Sequence, residues 1–393
     1  MVNCTVGVMA YNEENNIVQI LHALLNQNLD IAHIKEIVVV ASGCTDQTVP
    51  LAQEIAQTHP LIKVEVQTER AGKAAAINHL INIAQGEVIV LVGADTLPDP
   101  TALEKLVKPF VDPSVGMTGA RIVPLNDPRR FLGFVVQTLW HVHHRLALRS
   151  PKLGELVAFR NVVAALPINS ATDEVALEAL ISTQGYRLVY RPGAIVYNRG
   201  PQTLSDFLHQ RRRIFAGHLH IATTQNYVAA SMSLRPLARL TFETLTEYPA
   251  LLFWIIAAML LEGWGRILGT LDFWAGEGHH IWRPIRSTKQ IQQNNSSLTL
   301  VALQCPKGSV SANLMAKIHR IPDSQGTLFW WDTKRGQVLF ILPNDQFTVE
   351  SLEERINALA DYIGARDKLS DNPVLSYRLV QFTTQTASVV GLA

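Results

Sequence analysis

Apolar positions in the first hundred residues follow two rhythms. Cys4–Ala10, Ile34–Ala41, Ile62–Gln67 and Glu87–Val92 are short runs dense in branched apolar side chains, whereas Glu13–Leu25, Thr48–Gln57 and Lys73–Ala84 space theirs at helical intervals. Such alternation predicts right-handed βαβ units and a mostly parallel sheet with helices on both faces. Ligands of these sheets bind beyond the carboxyl ends of the strands. The unusual residues gather there: Tyr11-Asn12-Glu13-Glu14, Ser42-Gly43-Cys44-Thr45-Asp46 and Gly93-Ala94-Asp95 each follow a strand.

Two later stretches are more apolar. Phe131–Leu148 reads as a helix, either a core helix or an interfacial one with Trp140 and its basic residues at headgroup depth. Pro249–Leu261 is uninterrupted and continues past Glu262, Gly263 and Arg266 to Ile267–Leu271. The first part alone falls short of the ~20 residues a span requires. The whole is long enough, with Glu262 and Arg266 placed to pair one helical turn apart. Membrane attachment is expected, as a full span or as a half-inserted helix or hairpin. Arg235 and Arg239 on one side and Arg283, Arg286 and Lys289 on the other leave the orientation open. After the polar linker Gln290–Ser297 the pattern reads βαββαβ, a ferredoxin-like order. Three regions follow: an α/β domain over 1–228, a membrane-associated helical region over 229–289 and a small α+β domain over 298–393.

Composition narrows the class. The net charge of +1 gives no field suited to nucleic acid, and 17% charged residues is low against about 25% in soluble chains. Cys4, Cys44 and Cys305 are scattered, which argues against a disulfide framework or zinc site. The first residues lack a basic segment before their apolar run, so the catalytic part is expected in the cytoplasm, at the membrane.

The candidate chemistry lies in the strand-end loops. Taken alone, Asn12-Glu13-Glu14 reads as a helix cap and Ser42–Asp46 as an ordinary turn before either reads as a ligand loop. Arg70-Ala71-Gly72-Lys73 opens a helix where backbone N–H groups and a cation suit a diphosphate. Asp95, just after a buried strand, suits a divalent cation bridging a pyrophosphate. Taken in order with Gly154-Glu155, Phe159-Arg160, Thr172-Asp173-Glu174, Gly185-Tyr186-Arg187, Tyr190-Arg191-Pro192 and Gln210-Arg211-Arg212-Arg213-Ile214, these segments resemble the family-2 glycosyltransferases of the GT-A fold over about residues 3–220.

The resemblance implies an α/β fold, inverting transfer from a nucleotide-sugar (UDP-sugar ahead of GDP-sugar) and a divalent cation, Mn2+ or Mg2+. It implies a lipid-linked or saccharide acceptor at the membrane. Ala10, Tyr11, Asn12, Glu14, Ser42 and Asp46 correspond to nucleoside-binding loops. Gly72, Lys73, Ala94 and Asp95 correspond to the diphosphate and metal side. Gly154, Glu155 and Arg160 fall on the acceptor side. Gln210, Arg212 and Arg213 correspond to the diphosphate-holding motif of membrane-bound synthases. Asp173 and Glu174 stand where that family has its general base, and either fits. Three departures matter: Gly93 replaces the first acid of the metal motif, Ser42 replaces an acid that contacts the base, and Ile214 replaces a tryptophan. The resemblance therefore leaves a second reading, a catalytically impaired nucleotide-sugar-binding protein with a sensory or assembly role. His141, His143 and His144 read as acceptor-side or core histidines. Gln337–Pro343 resembles the strand after a GGDEF signature, in a degenerate domain whose signature position, 332–336, lacks the paired glycines and the metal acid.

Overall fold

A computed structural model describes residues 1–247, 252–277 and four strands beyond them, 298–304, 328–332, 337–343 and 376–382. The chain divides into two compact units, 1–291 and 292–393.

The first unit opens as its periodicity dictates: β1 (Val2–Ala10), α1 (Ile17–Leu25), β2 (Ala32–Ser42), α2 (Thr48–Thr58), β3 (Ile62–Gln67), α3 (Lys73–Ile83) and β4 (Val88–Gly93). Then follow β5 (Thr96–Pro98), α4 (Ala102–Val107), β6 (Val115–Pro124), α5 (Phe131–Ala147), β7 (Val157–Arg160), α6 (Asp173–Thr183), β8 (Arg187–Asn198) and three long helices, α7 (Leu204–Thr224), α8 (Leu234–Glu247) and α9 (Leu252–Trp274). The eight strands form one sheet in the order β3-β2-β1-β4-β7-β6-β8-β5. The alternation predicts a parallel sheet, and β3-β2-β1-β4 and β6-β8 are parallel. β7 breaks the pattern: it runs antiparallel to both β4 and β6, and β5 is antiparallel to β8. The sheet is therefore mixed.

Strands flanked by helices on both faces bury nearly every side chain, which is why β1 and β2 read as continuous apolar runs. One core layer holds Val6, Val8, Ile37 and Val90, and the other Val38, Val40, Ile89 and Phe159. Because β2, β1 and β4 are neighbours, their carboxyl ends at Ser42, Ala10 and Gly93 stand side by side.

α9 lies against α7. A β-carbon at Gly265 would meet Arg211 Cβ at 2.7 Å, and one at Gly269 the Arg212 carbonyl at 2.6 Å, so only glycine permits this approach. The facing charges are paired: Arg211 Nη2 donates to Glu262 Oε1 (2.8 Å), Arg266 Nε to the same oxygen (3.0 Å) and Arg212 Nε to Asp272 (2.9 Å). The opposite face shows Phe253, Leu260, Trp264 and Trp274 to the outside. α9 is long and apolar enough to cross a membrane by length and composition.

In the second unit four antiparallel strands, β9 (Leu298–Gln304), β10 (Leu328–Asp332), β11 (Gln337–Pro343) and β12 (Ser376–Phe382), pair in the order β10-β11-β9-β12. The helices that the ferredoxin-like reading requires, and most of the GGDEF-like signature position, fall outside the described residues.

Candidate active site

A cavity of about 660 Å3 opens at the carboxyl ends of β1, β2 and β4 and runs beneath α5, α7, α8 and α9. At its strand end, Tyr11 carries the Arg70 guanidinium over its ring at 3.8 Å from the centroid. Ser42, buried in the same wall, has an Oγ with no hydrogen-bond partner. Ala10, Gly72, Lys73, Gly93 and Asp95 complete this end. Gly72 adopts φ +92°, where a side chain would strain the turn into α3.

The residues beside them in sequence are engaged elsewhere. Asn12 and the 44–48 turn clasp each other: Asn12 Nδ2 donates to Thr45 Oγ1 (3.1 Å) and Thr45 N to Asn12 Oδ1 (2.8 Å). Asp46 accepts from the N–H groups of Thr48 and Glu14, and Glu14 accepts from Gln47 N. Although burial opposes it, these bonds, Thr48's first, hold the Asp46 carboxyl below its usual range. Asn12, Glu14 and Asp46 thus shape the loops after β1 and β2 rather than line the cavity. Ala94 is buried with its N–H on Met9 O.

The acids meet on the opposite wall. α6 begins at Asp173, so both carboxylates sit at a helix N-terminus, where backbone N–H groups favour negative charge. Lys73 Nζ lies 2.7 Å from Glu174 Oε1 and 3.8 Å from Asp173 Oδ2. Expected beside a diphosphate, Lys73 here bridges the acidic pair. Glu174 lines the cavity, while Asp173 is buried behind it with no hydrogen bond to either carboxyl oxygen. The two environments push them apart. Burial would raise Glu174, but Lys73 holds it down at about 2. Burial outweighs Lys73 at Asp173 and lifts it to about 6. Arg213 bonds to Ala171 O (3.0 Å) and turns its charge toward Asp173, Glu174 and Glu155; burial lowers its pKa to about 10.

Glu155 follows Gly154 into the cavity at φ +61°, a left-handed conformation that few non-glycine residues adopt. Burial, then the charges of Asp95 and Glu174, push its carboxyl up to about 7. Its loop is pinned by Glu178, buried one helical turn after Glu174, which accepts from Leu153 N (2.7 Å) and Tyr227 Oη (3.1 Å). Two further expected residues point away from the cavity. Arg160, one residue beyond the buried Phe159, donates instead to the carbonyls of Val115, Phe110 and Asp112 outside the cavity. Arg212 faces Asp272 on α9, whereas Gln210 and Arg213 line the cavity.

Residues that no motif included also reach the cavity: Trp140, edge-on to the His143 ring at 4.9 Å, Asn198 at the end of β8 and Arg199 beyond it. Of the residues singled out in the sequence, Arg70 lines it too, and so does His143. Burial drops its pKa to about 3, so the ring is neutral. His144 packs away, with Nδ1 bonded to Tyr190 Oη (2.8 Å).

Among the described residues no three His, Cys, Asp or Glu side chains converge as a metal cage. Asp95 and Glu155 are, however, two mutually repelling carboxylates on one cavity, a set that suits a cation completing its shell with phosphate oxygens and water.

A mixed α/β sheet with acids, arginines and a paired lysine at its strand ends finds its counterpart among known proteins. Residues 5–160 match the model for glycosyl transferase family 2, and residues 88–275 that for glycosyl transferase family group 2. Between them these two glycosyl transferase models span residues 5–275 of this chain. The chain is 26% identical over 268 residues to the poly-beta-1,6-N-acetyl-D-glucosamine synthase of Staphylococcus aureus, a match covering 64% of this chain and 62% of the synthase. The corresponding Staphylococcus epidermidis enzyme is 26% identical over 218 residues, 52% of this chain and 51% of its own. The chain thus spans under two thirds of the length of these relatives. In fold the chain resembles a mannosyltransferase of Pyrobaculum calidifontis solved with GDP-Man and Mn2+, with a TM-score of 0.53 and 23% identity over 70% of this chain and 87% of that one.

Proposed function

We propose that the transferase moves a sugar from a nucleoside diphosphate donor to an acceptor hydroxyl in one inverting displacement at the cytoplasmic membrane face. The observation that carries this reading is the convergence of Lys73, Glu155, Glu174 and Arg213 with Asp95 on one cavity at the strand ends. Tyr11, Arg70 and Ser42 border the nucleoside end, and Gly72, Gln210 and Arg213 the diphosphate. A divalent cation held by Asp95, with Glu155 nearby, would neutralise charge on the leaving diphosphate.

The acceptor oxygen attacks the anomeric carbon as the bond from that carbon to the diphosphate oxygen breaks. The electron pair leaves with the nucleoside diphosphate and the proton passes to a carboxylate. Glu174 is the base in this reading, because it faces the cavity and Asp173 does not. Its ion pair with Lys73 keeps it ionised but weakly basic, and a diphosphate drawing Lys73 toward itself restores its basicity. Asp173 holds the Lys73 and Arg213 charges in place from below.

The test is calorimetric titration of the membrane-embedded chain with a panel of UDP- and GDP-sugars, with and without Mn2+. Metal-dependent binding that Asp95→Ala abolishes supports the reading. Binding that ignores both metal and Asp95→Ala overturns the metal assignment. Tight binding with no sugar transfer to any acceptor favours the impaired, binding-only alternative, which Gly93 and Ser42 keep in view.

A further inference from the structure

Beyond Glu155 and Glu174 the cavity walls change character. Val136 and Leu139 of α5, Phe207 of α7, Leu237 and Ala238 of α8 and Met259 of α9 border it. A second hollow of about 380 Å3 lies between α8 and α9 and shares Ala238, Thr241 and Met259 with the first. Its outer rim carries Phe242 and Leu260, 68% and 70% exposed. The charged groups bordering this route on the α9 side, Arg211, Glu262 and Arg266, are bonded to one another. A path therefore leads from the transfer point, between two helices, to a large outward-facing apolar patch.

We propose that the acceptor is a membrane lipid with a hydroxyl-bearing head. The head sits at Glu174, and the hydrocarbon chain leaves between α8 and α9 into the bilayer on which Phe242, Phe253 and Leu260 rest. The proposal rests on the transferase reading above and fixes its acceptor class.

Three observations separate this acceptor from a growing saccharide or a phosphate-headed lipid. Saccharide hydroxyls drawn along Val136, Leu139, Phe207 and Met259 would lose their hydrogen bonds to water, and the Thr241 hydroxyl at the shared mouth already donates to Leu237 O. A hydrocarbon chain coming from the bilayer loses nothing there. Lys73 and Arg213 beside the acids are taken up by the donor diphosphate in this reading, so an anionic phosphate head at the transfer point would meet Glu155 and Glu174, whereas a hydroxyl needs such a carboxylate to take its proton. The neutral His143 ring, held by the backbone of Lys152, leaves a buried Nε2 on the cavity wall without a partner, a ready acceptor for a head-group hydroxyl.

The test uses the full chain in vesicles and the radiolabelled nucleotide-sugar that binds in calorimetry. It offers diacylglycerol, a polyisoprenyl phosphate and a water-soluble oligosaccharide in parallel. The expected result is label in the solvent-extractable diacylglycerol product, stable to mild acid. Ala238→Trp, which narrows the shared mouth at an exposed position, is expected to lower kcat/KM for the lipid at least tenfold while the donor Kd stays within twofold. His143→Ala raises the lipid KM without changing the donor Kd. Label in the oligosaccharide, an acid-labile lipid phosphate product, or an Ala238→Trp variant as active as the parent chain each overturns the proposal and leaves the transferase reading standing. No donor binding by the unmodified chain takes down both.

Discussion

Replacing Glu262 with alanine strips the buried carboxylate from two guanidinium groups at once. Its side chain is 6% exposed, and it accepts from Arg211 at 2.8 Å and from Arg266 at 3.0 Å. Breaking a buried ion pair from one side costs about 3–5 kcal/mol, mostly from leaving the partner charge uncompensated in a poorly hydrated site. Arg211 and Arg266 are 24% and 21% exposed, so water recovers part of that cost. The expected loss is therefore about 3 kcal/mol. It can be read as a shift in the urea midpoint of the full chain in detergent, followed through the α9 tryptophans Trp254, Trp264 and Trp274. Arg211→Met with Glu262→Leu and Arg266→Met should recover most of it, because an apolar replacement of a whole buried cluster is close to neutral or stabilising. If Glu262→Ala costs under about 1 kcal/mol, α9 does not rest on α7, and the corridor between α8 and α9 has no wall.

Three further outcomes are expected. Glu174→Gln should cut sugar transfer at least about a hundredfold while donor binding stays within threefold, with a smaller loss for Asp173→Asn; full activity in Glu174→Gln moves the base elsewhere. A β-carbon at Gly93 meets only Asp95 Oδ1 within 3 Å, the free end of a side chain, so Gly93→Asp is accommodated and sets a second carboxylate beside the first; Mn2+ affinity by calorimetry should rise at least about tenfold, and an unchanged affinity removes Asp95 from the metal site. Glu155 keeps its proton in the native chain up to about pH 7, whereas the unfolded chain releases it near the ordinary 4.5, so its contribution to stability is lost as pH rises through that window. Glu155→Gln should flatten that slope and gain at most about 3 kcal/mol over the parent by pH 8. Denaturation curves parallel for both chains from pH 5 to 8 would refute the buried-carboxyl assignment.

The sequence determined what depends on near neighbours. The first four strands and three helices follow from apolar periodicity, because a buried parallel strand and an amphipathic helix each write their rhythm locally. Gly72-Lys73, Asp95 and Asp173-Glu174 were legible because each stands at a strand end or helix start where chemistry collects. β7 was not, since four residues, Val157–Arg160, carry no distinguishing pattern and their antiparallel choice is made by β4 and β6. Nor could spacing divide the roles within short motifs. Arg212 and Arg213 are one residue apart, about 100° around a helix, so one meets Asp272 of α9 and the other the acidic pair. By the same rotation Glu174 faces the cavity and Asp173 the core. Residue type says which charges a site can use; only packing against distant elements decides which of two adjacent side chains reaches it.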